Sequence, residues 1–410
     1  MSAKEYDVII VGAGVSGLML AKMLNGTNFK VLLIENRDTI KIPWNHRYCT
    51  TMEIVKKFNL EQYIIKKFNG FGFLYANLEK SEFSYGKDEF SVVDITPFAQ
   101  NLQLSLDVKM GTTIKEVKRN HGRVDIIDQF GQVYKTKIVV DCSGESKIVS
   151  KYLGQIKKGK SIDFYSISLE LEGCEIPEMR VFQFIADMRY LNGAFWFYPY
   201  SAKKCQFGST EWFTEYPDKD SEYEKIFRYI KNESPFKEWL KNSTIKEKVF
   251  KIGPATTMNV SLAEDNFLAC GNAAGAGTPA VGEGFRIALE MAQSAYDTIN
   301  IAFDKSDFSR KTLIVHEQNF NLKFGKYYNY SRIIRFFVMN IFTSREYALF
   351  AKNMARLSPE ESRQVLISKI TIGFFFKILD VPFASYLFLN LVKFLIGGCK
   401  PLNKQTYGKS

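Results

Sequence analysis

Histidine is almost missing from this chain: three in 410 residues, His46, His121 and His316. A His-rich metal centre is thereby excluded in practice. The six cysteines, Cys49, Cys142, Cys174, Cys205, Cys270 and Cys399, contain no C-x-x-C pair. Such spacing argues against a zinc ribbon or an iron–sulfur cluster, and a disulfide framework is not expected at this length. No metal site is therefore assigned. Proline numbers only 11, and neither low-complexity segments nor internal repeats occur. No apolar run reaches the ~20 residues that a membrane span needs. No apolar signal region precedes the first strand pattern, so a cytoplasmic location is expected.

What is present is a globular composition, 46% hydrophobic and 24% charged, long enough for two lobes. Aromatic residues are abundant, with 35 Phe and 21 Tyr, which suits a core and equally a greasy pocket. The net charge of +11 is concentrated at one end: from Lys311 onward there are 15 Lys and Arg against 5 Asp and Glu. Phe-rich apolar stretches alternate with these cations. The mixture reads as helices lying on an anionic membrane face, or else as a helical cap over the core. The cations form no recognisable nucleic-acid module, so nucleic acid is not expected as a partner.

The first motif lies at the start. Tyr6-Asp-Val-Ile-Ile-Val11 has the continuous apolar pattern of a central parallel strand. It runs into Gly12-Ala-Gly-Val-Ser-Gly17, then an apolar helix, then the strand Lys30-Val-Leu-Leu-Ile-Glu35. This is a complete strand, glycine loop, helix, strand and acid arrangement. Gly12 permits the tight turn, Gly14 lets the backbone approach a pyrophosphate, and Gly17 lets helix and strand pack closely. The helix N-terminus favours phosphate. Glu35, with Arg37 beside it, is the candidate for the adenosine end. The motif alone leaves NAD and FAD open.

The second motif decides for FAD. In 266–290 a short apolar strand enters Gly271-Asn-Ala-Ala-Gly275, followed by Pro279, Gly282, Glu283 and Gly284 and then a helix. Such a loop can set backbone amides against a flat ring, and the helix dipole favours the negative charge of a reduced flavin. A third element, Val140-Asp-Cys-Ser-Gly144, leads to Gly154. The segment Ala194-Phe-Trp-Phe-Tyr-Pro199 is followed by Gly208-Ser-Thr-Glu-Trp212.

On these residues the sequence resembles FAD-dependent oxidoreductases of the aromatic-hydroxylase type, and among them most nearly the geranylgeranyl reductase family. The resemblance spans about residues 5–300. It implies FAD held by Gly12, Gly14, Gly17, Glu35, Arg37, Gly144, Gly271, Asn272, Ala273, Gly282, Glu283 and Gly284. Asn272 stands where the family usually has aspartate; an amide can hold a ribityl hydroxyl without the charge. Trp196, Pro199, Gly208 and Trp212 match the family's substrate-cavity segment, whereas Ala194, Tyr198 and Thr210 depart from it. Cys49 follows a basic stretch as in the family, but Thr50 and Thr51 replace glycines, and no arginine follows Val93-Asp94. Cys49, His46 and Tyr198 are the candidate proton donors.

The fold expected is α/β: a Rossmann-type FAD lobe (1–75, 97–156 and 254–305) interleaved with a β-sheet substrate domain (76–96 and 157–253). A basic, aromatic helical region follows (306–410), with Ser358-Pro359 as a helix start. The implied reaction is hydride transfer from reduced flavin to C=C bonds of a prenyl lipid. A flavin monooxygenase or halogenase, or a redox-neutral enzyme like lycopene cyclase, is the alternative. With a single dinucleotide fingerprint, electrons would come from a transient external donor, NAD(P)H or ferredoxin. The expected partners are a prenyl lipid or other hydrophobic substrate, an anionic membrane surface and an electron-donor protein.

Overall fold

The strand Lys4–Val11 is flanked on both sides, which is why its second half carries no polar residue: Val8, Ile9 and Ile10 are fully buried. It lies between Val133–Asp141 and Val31–Ile34, all three parallel, in a sheet continued by Phe267–Ala269 on one side and Asp107–Lys109 on the other. Val11 is level with Ile34 and with Asp141, so the carboxyl ends of these strands finish together. That edge is where an open parallel sheet receives a ligand. The structure is a computed structural model describing residues 3–38, 47–75, 80–101, 106–156, 162–187, 190, 193–213, 217–255, 260–275, 277–342 and 344–395.

A second, seven-stranded sheet runs in the order Thr244–Ala255, Ile162–Glu172, Lys204–Phe213, Ala194–Ser201, Val181–Ala186, Gly70–Tyr75 and Lys80–Ser84. It is antiparallel except where Val181–Ala186 meets Gly70–Tyr75. Gly70–Tyr75, counted with the nucleotide lobe from the sequence, thus pairs in the second sheet. Phe90–Asp94, counted with the substrate sheet, instead joins Arg47–Thr51 and Ile64–Phe68 in a small third sheet. One face of the second sheet packs its apolar side chains on the helix Lys219–Asn232; the other faces the nucleotide lobe.

After the long helix Phe285–Asp304 the chain is helical to residue 395. Ser358 starts the helix Pro359–Leu366 with a full capping box: its hydroxyl accepts from the Glu361 amide, and its own amide donates to the Glu361 carboxylate. Inward-facing Ile334, Met354, Val365, Ile370 and Phe374 form a core of their own in this region.

Candidate active site

The turn leaving Lys4–Val11 is built on close approach. Gly12 has φ +102, and a Cβ there would stand 2.4 Å from the Cys142 carbonyl oxygen. At Gly17 a Cβ would come within 1.9 Å of the Gly12 carbonyl oxygen, so helix and loop touch through bare backbone. Gly14 differs: a Cβ would meet no protein atom within 4 Å. Gly14, Val15 and Ser16 open onto a cavity of about 960 Å³, and no side chain caps the helix that starts there. The space over Gly14 is therefore left for something other than protein, and bare backbone at a helix start fits a pyrophosphate.

Glu35 is buried at the end of the second strand and lines the same cavity. Its carboxylate accepts from the Ala13 amide at 2.7 Å and from the Arg37 guanidinium at 2.7 and 2.9 Å. Burial works to raise its pKa, but Arg37 and the Ala13 amide outweigh it and hold the carboxyl below its usual range. The Arg37 backbone amide adds a fourth donor. A ribose diol can reach Glu35 only by displacing the Arg37 side chain, which sequence reasoning treated as a neighbour and not as a competitor.

The glycine-rich loop forms the next wall. Gly271, Asn272, Gly282, Glu283 and Gly284 all line the cavity, as does Gly144 across from them, while Ala273 and Gly17 support it from behind. The Asn272 amide donates to the Glu145 carboxylate at 2.8 Å. Glu283 does not reach out as a free acid: it forms a two-point pair with buried Arg286, at 2.8 and 2.9 Å. Among the described residues, four hydrogen bonds tie the loop and the first turn of the helix after it to the C-terminal helical region. Tyr328 donates to the Gly275 carbonyl (3.0 Å), Arg286 to that of Ile367 (2.6 Å), and the Ala280 amide to Ser331 (2.8 Å). Thr278 and Ser368 share the fourth at 2.9 Å. The residues present thus fit a flavin dinucleotide from the adenosine end to the ring.

Beyond the loop the wall becomes chemical. Cys49 on Arg47–Thr51 and Tyr198 on Ala194–Ser201 come together from two different sheets, with a hydrogen bond between hydroxyl and sulfur. Burial pushes the thiol and the phenol up, so both are protonated at neutral pH. Two of the three candidate proton donors are therefore in contact and face the cavity. The third, His46, lies outside the described residues.

The period-two alternation of a strand sorts the remaining candidates. Trp196 and Tyr198 face the cavity; Pro199 points to the other side of the sheet and does not line it, a correction to the sequence reading. Gly208 does not line it either. It sits opposite Trp196 in the pairing, and a Cβ there would lie 2.1 Å from the indole ring, so this glycine makes room for Trp196. Trp212 belongs to the strand Lys204–Phe213, but its side chain lies outside the described residues.

Sequence reasoning missed three contributors. Tyr48 lines the cavity and stacks on Phe285, the first residue of the helix after the loop, at 4.5 Å and 11°. Arg47 pairs with Asp94 at 3.5 Å and with buried Glu170, under the Tyr200 ring. The far end of the cavity is closed by the C-terminal helices through Ile334, Val338, Phe350, Met354, Val365 and Phe374, an entirely apolar lining. Only the helical spacing of these last residues was visible beforehand.

The lycopene cyclase protein family profile matches residues 7–372. The chain is 25% identical over 338 residues to a digeranylgeranylglycerophospholipid reductase of Methanocaldococcus jannaschii, covering 78% of this chain and 84% of that one. The namesake enzyme of Methanococcus vannielii is 24% identical over 340 residues, 79% and 84% of the two chains. Among solved structures, a geranylgeranyl bacteriochlorophyll reductase-like protein of Thermoplasma acidophilum superposes with TM-score 0.74 at 14% identity, over 96% of this chain and all of that one (100%). The halogenase PltM in complex with FAD gives 0.65 at 15% identity, over 97% and 87%, a likeness of fold. The chain belongs to the lycopene cyclase protein family and is an FAD-dependent, geranylgeranyl reductase-like oxidoreductase.

Proposed function

We propose that the protein reduces C=C bonds of a prenyl, geranylgeranyl-type lipid. The observation that carries this reading is one continuous cavity, running from the dinucleotide cradle past the Cys49–Tyr198 pair into an apolar end among the C-terminal helices. An isolated alkene is a poor hydride acceptor, so it must be held in line and kept dry. Trp196, Phe374 and their neighbours supply walls for a chain without polar groups. FAD, when bound and reduced by an external donor, would supply the hydride for one alkene carbon. Tyr198 and Cys49 keep a proton at Oη and Sγ for the neighbouring carbon, and burial prevents its loss to solvent near neutral pH. Product then carries two added hydrogens per double bond, and the acid pair recovers its proton from water. Electrons arrive from a transient external donor, NAD(P)H or a ferredoxin-type protein, because the sequence offers no second dinucleotide fold to hold one. A lipid substrate places the enzyme peripherally at a membrane.

A redox-neutral second reading is favoured by the matching family profile. A buried acid pair that protonates an alkene without hydride delivery would isomerise or cyclise it at unchanged mass. The experiment is anaerobic: dithionite-reduced protein, a geranylgeranyl lipid, and product masses. A gain of two hydrogens per double bond with reoxidised flavin supports reduction; unchanged mass with an altered product favours the cyclase-like reading. Tyr198→Phe should slow product formation about a hundredfold with flavin content intact. A variant as fast as the parent removes Tyr198 from the chemistry.

A further inference from the structure

We propose that the outer faces of the helices Val381–Leu395 and Lys326–Asn340 form a docking surface for an anionic lipid bilayer. On Val381–Leu395 the outward positions are Val381 (80% exposed), Phe388 (65%), Leu389 (53%) and Leu395 (72%), spaced to share one face. The outward face is thus largely apolar, while the polar Asn390 is buried along with Phe383. Phe336 touches Phe394 at 5.9 Å and joins the exposed Ile333 to this stripe, so two helices present one apolar surface. A contiguous surface of this kind marks an interaction site.

Charge selects the occupant. Neither helix contains Asp or Glu, and Lys326, Arg332 and Lys393 stand exposed on them. A second copy docked by twofold symmetry would set these cations against their own kind, whereas anionic headgroups neutralise them. Length selects the orientation. Fifteen residues extend about 22 Å, short of the ~30 Å hydrocarbon core. The preceding helix Ile372–Ile378 turns away by 107°. The pair therefore lies along the bilayer, with Lys393 level with the headgroups and Phe388 and Leu389 below them.

Of the two docking helices, Lys326–Asn340 also walls the apolar end of the cavity through Ile334 and Val338, beside Phe374 of Ile372–Ile378, so the surface adjoins the place a lipid would enter. This purpose rests on the lipid-reductase reading; the binding itself does not.

The test is co-sedimentation of the full chain with vesicles of mixed phosphatidylglycerol and phosphatidylcholine, against phosphatidylcholine alone. Wild type should pellet with the anionic vesicles and be released by salt. The double variant Phe388→Ser with Leu389→Ser, both outside the cavity wall, should lose roughly a hundredfold in partitioning. Its flavin content and melting temperature should match wild type. Wild type remaining in the supernatant, a variant that binds equally well, or a wild-type dimer that the variant breaks would each overturn the proposal. Vesicle binding by a protein that leaves prenyl lipids unchanged would defeat the reductase reading and leave the docking surface standing.

Discussion

His316 is fully buried behind Phe267–Ala269, the strand that feeds the glycine-rich loop. Its Nε2 donates to the Ala269 carbonyl at 3.0 Å, and its Nδ1 lies 3.1 Å from the Ser294 hydroxyl, contacts that suit a ring with its proton on Nε2. Burial lowers the imidazole pKa to about 4, against 6.5 for the free side chain, the Ala269 bond opposing this only in part. The unfolded chain therefore binds a proton that the folded chain refuses, and stability falls as the pH drops from 6.5 toward 4. This linkage amounts to about 2 kcal/mol between pH 7 and pH 5, and about 3 kcal/mol below pH 4. His316→Gln removes it. The assay is urea unfolding of both proteins at pH 7, 6 and 5, followed by flavin fluorescence and by circular dichroism. The stability gap between wild type and variant should shrink by about 2 kcal/mol over that range. A gap independent of pH would refute the reasoning, since it would mean that His316 is protonated alike in both states.

Gly14→Val should give a folded but colourless protein, because a Cβ there meets no protein atom within 4 Å and points the side chain into the space over the helix start; visible absorbance and a melting curve decide it, and a fully yellow variant contradicts the cradle. Arg286→Leu leaves the Glu283 carboxylate and the Ile367 carbonyl without their donor in a largely buried setting. A destabilisation of about 3 kcal/mol in chemical unfolding is expected, with weakened flavin retention.

The nucleotide end of the site was legible because backbone geometry dictates it. At Gly12 and Gly17 any Cβ would enter a neighbouring carbonyl, so residue type and spacing carry the structure directly. Trp196 and Tyr198 were legible for a similar reason, the strand's period of two. The same period places Pro199 on the far face, and only the facing strand explains Gly208. What stayed hidden depends on pairings distant in sequence. Gly70–Tyr75 joins the second sheet through Val181–Ala186, and Arg47 meets Glu170 across two sheets. No local pattern announces either. The helices after residue 310 were readable as helices, but which of their faces closes the cavity follows only from packing.

The hydrogen bonds between the glycine-rich loop and the C-terminal helices also set an order of events during synthesis. Thr278 leaves the ribosome well before its partner Ser368, 90 residues later, an interval of roughly 5 to 20 seconds at ordinary elongation rates. Until then the loop lacks the contacts that fix its shape, although the Gly12–Gly17 cradle is already complete. The nascent chain can hold the adenosine end first, and the ring end of the site is completed only with the C-terminal helices.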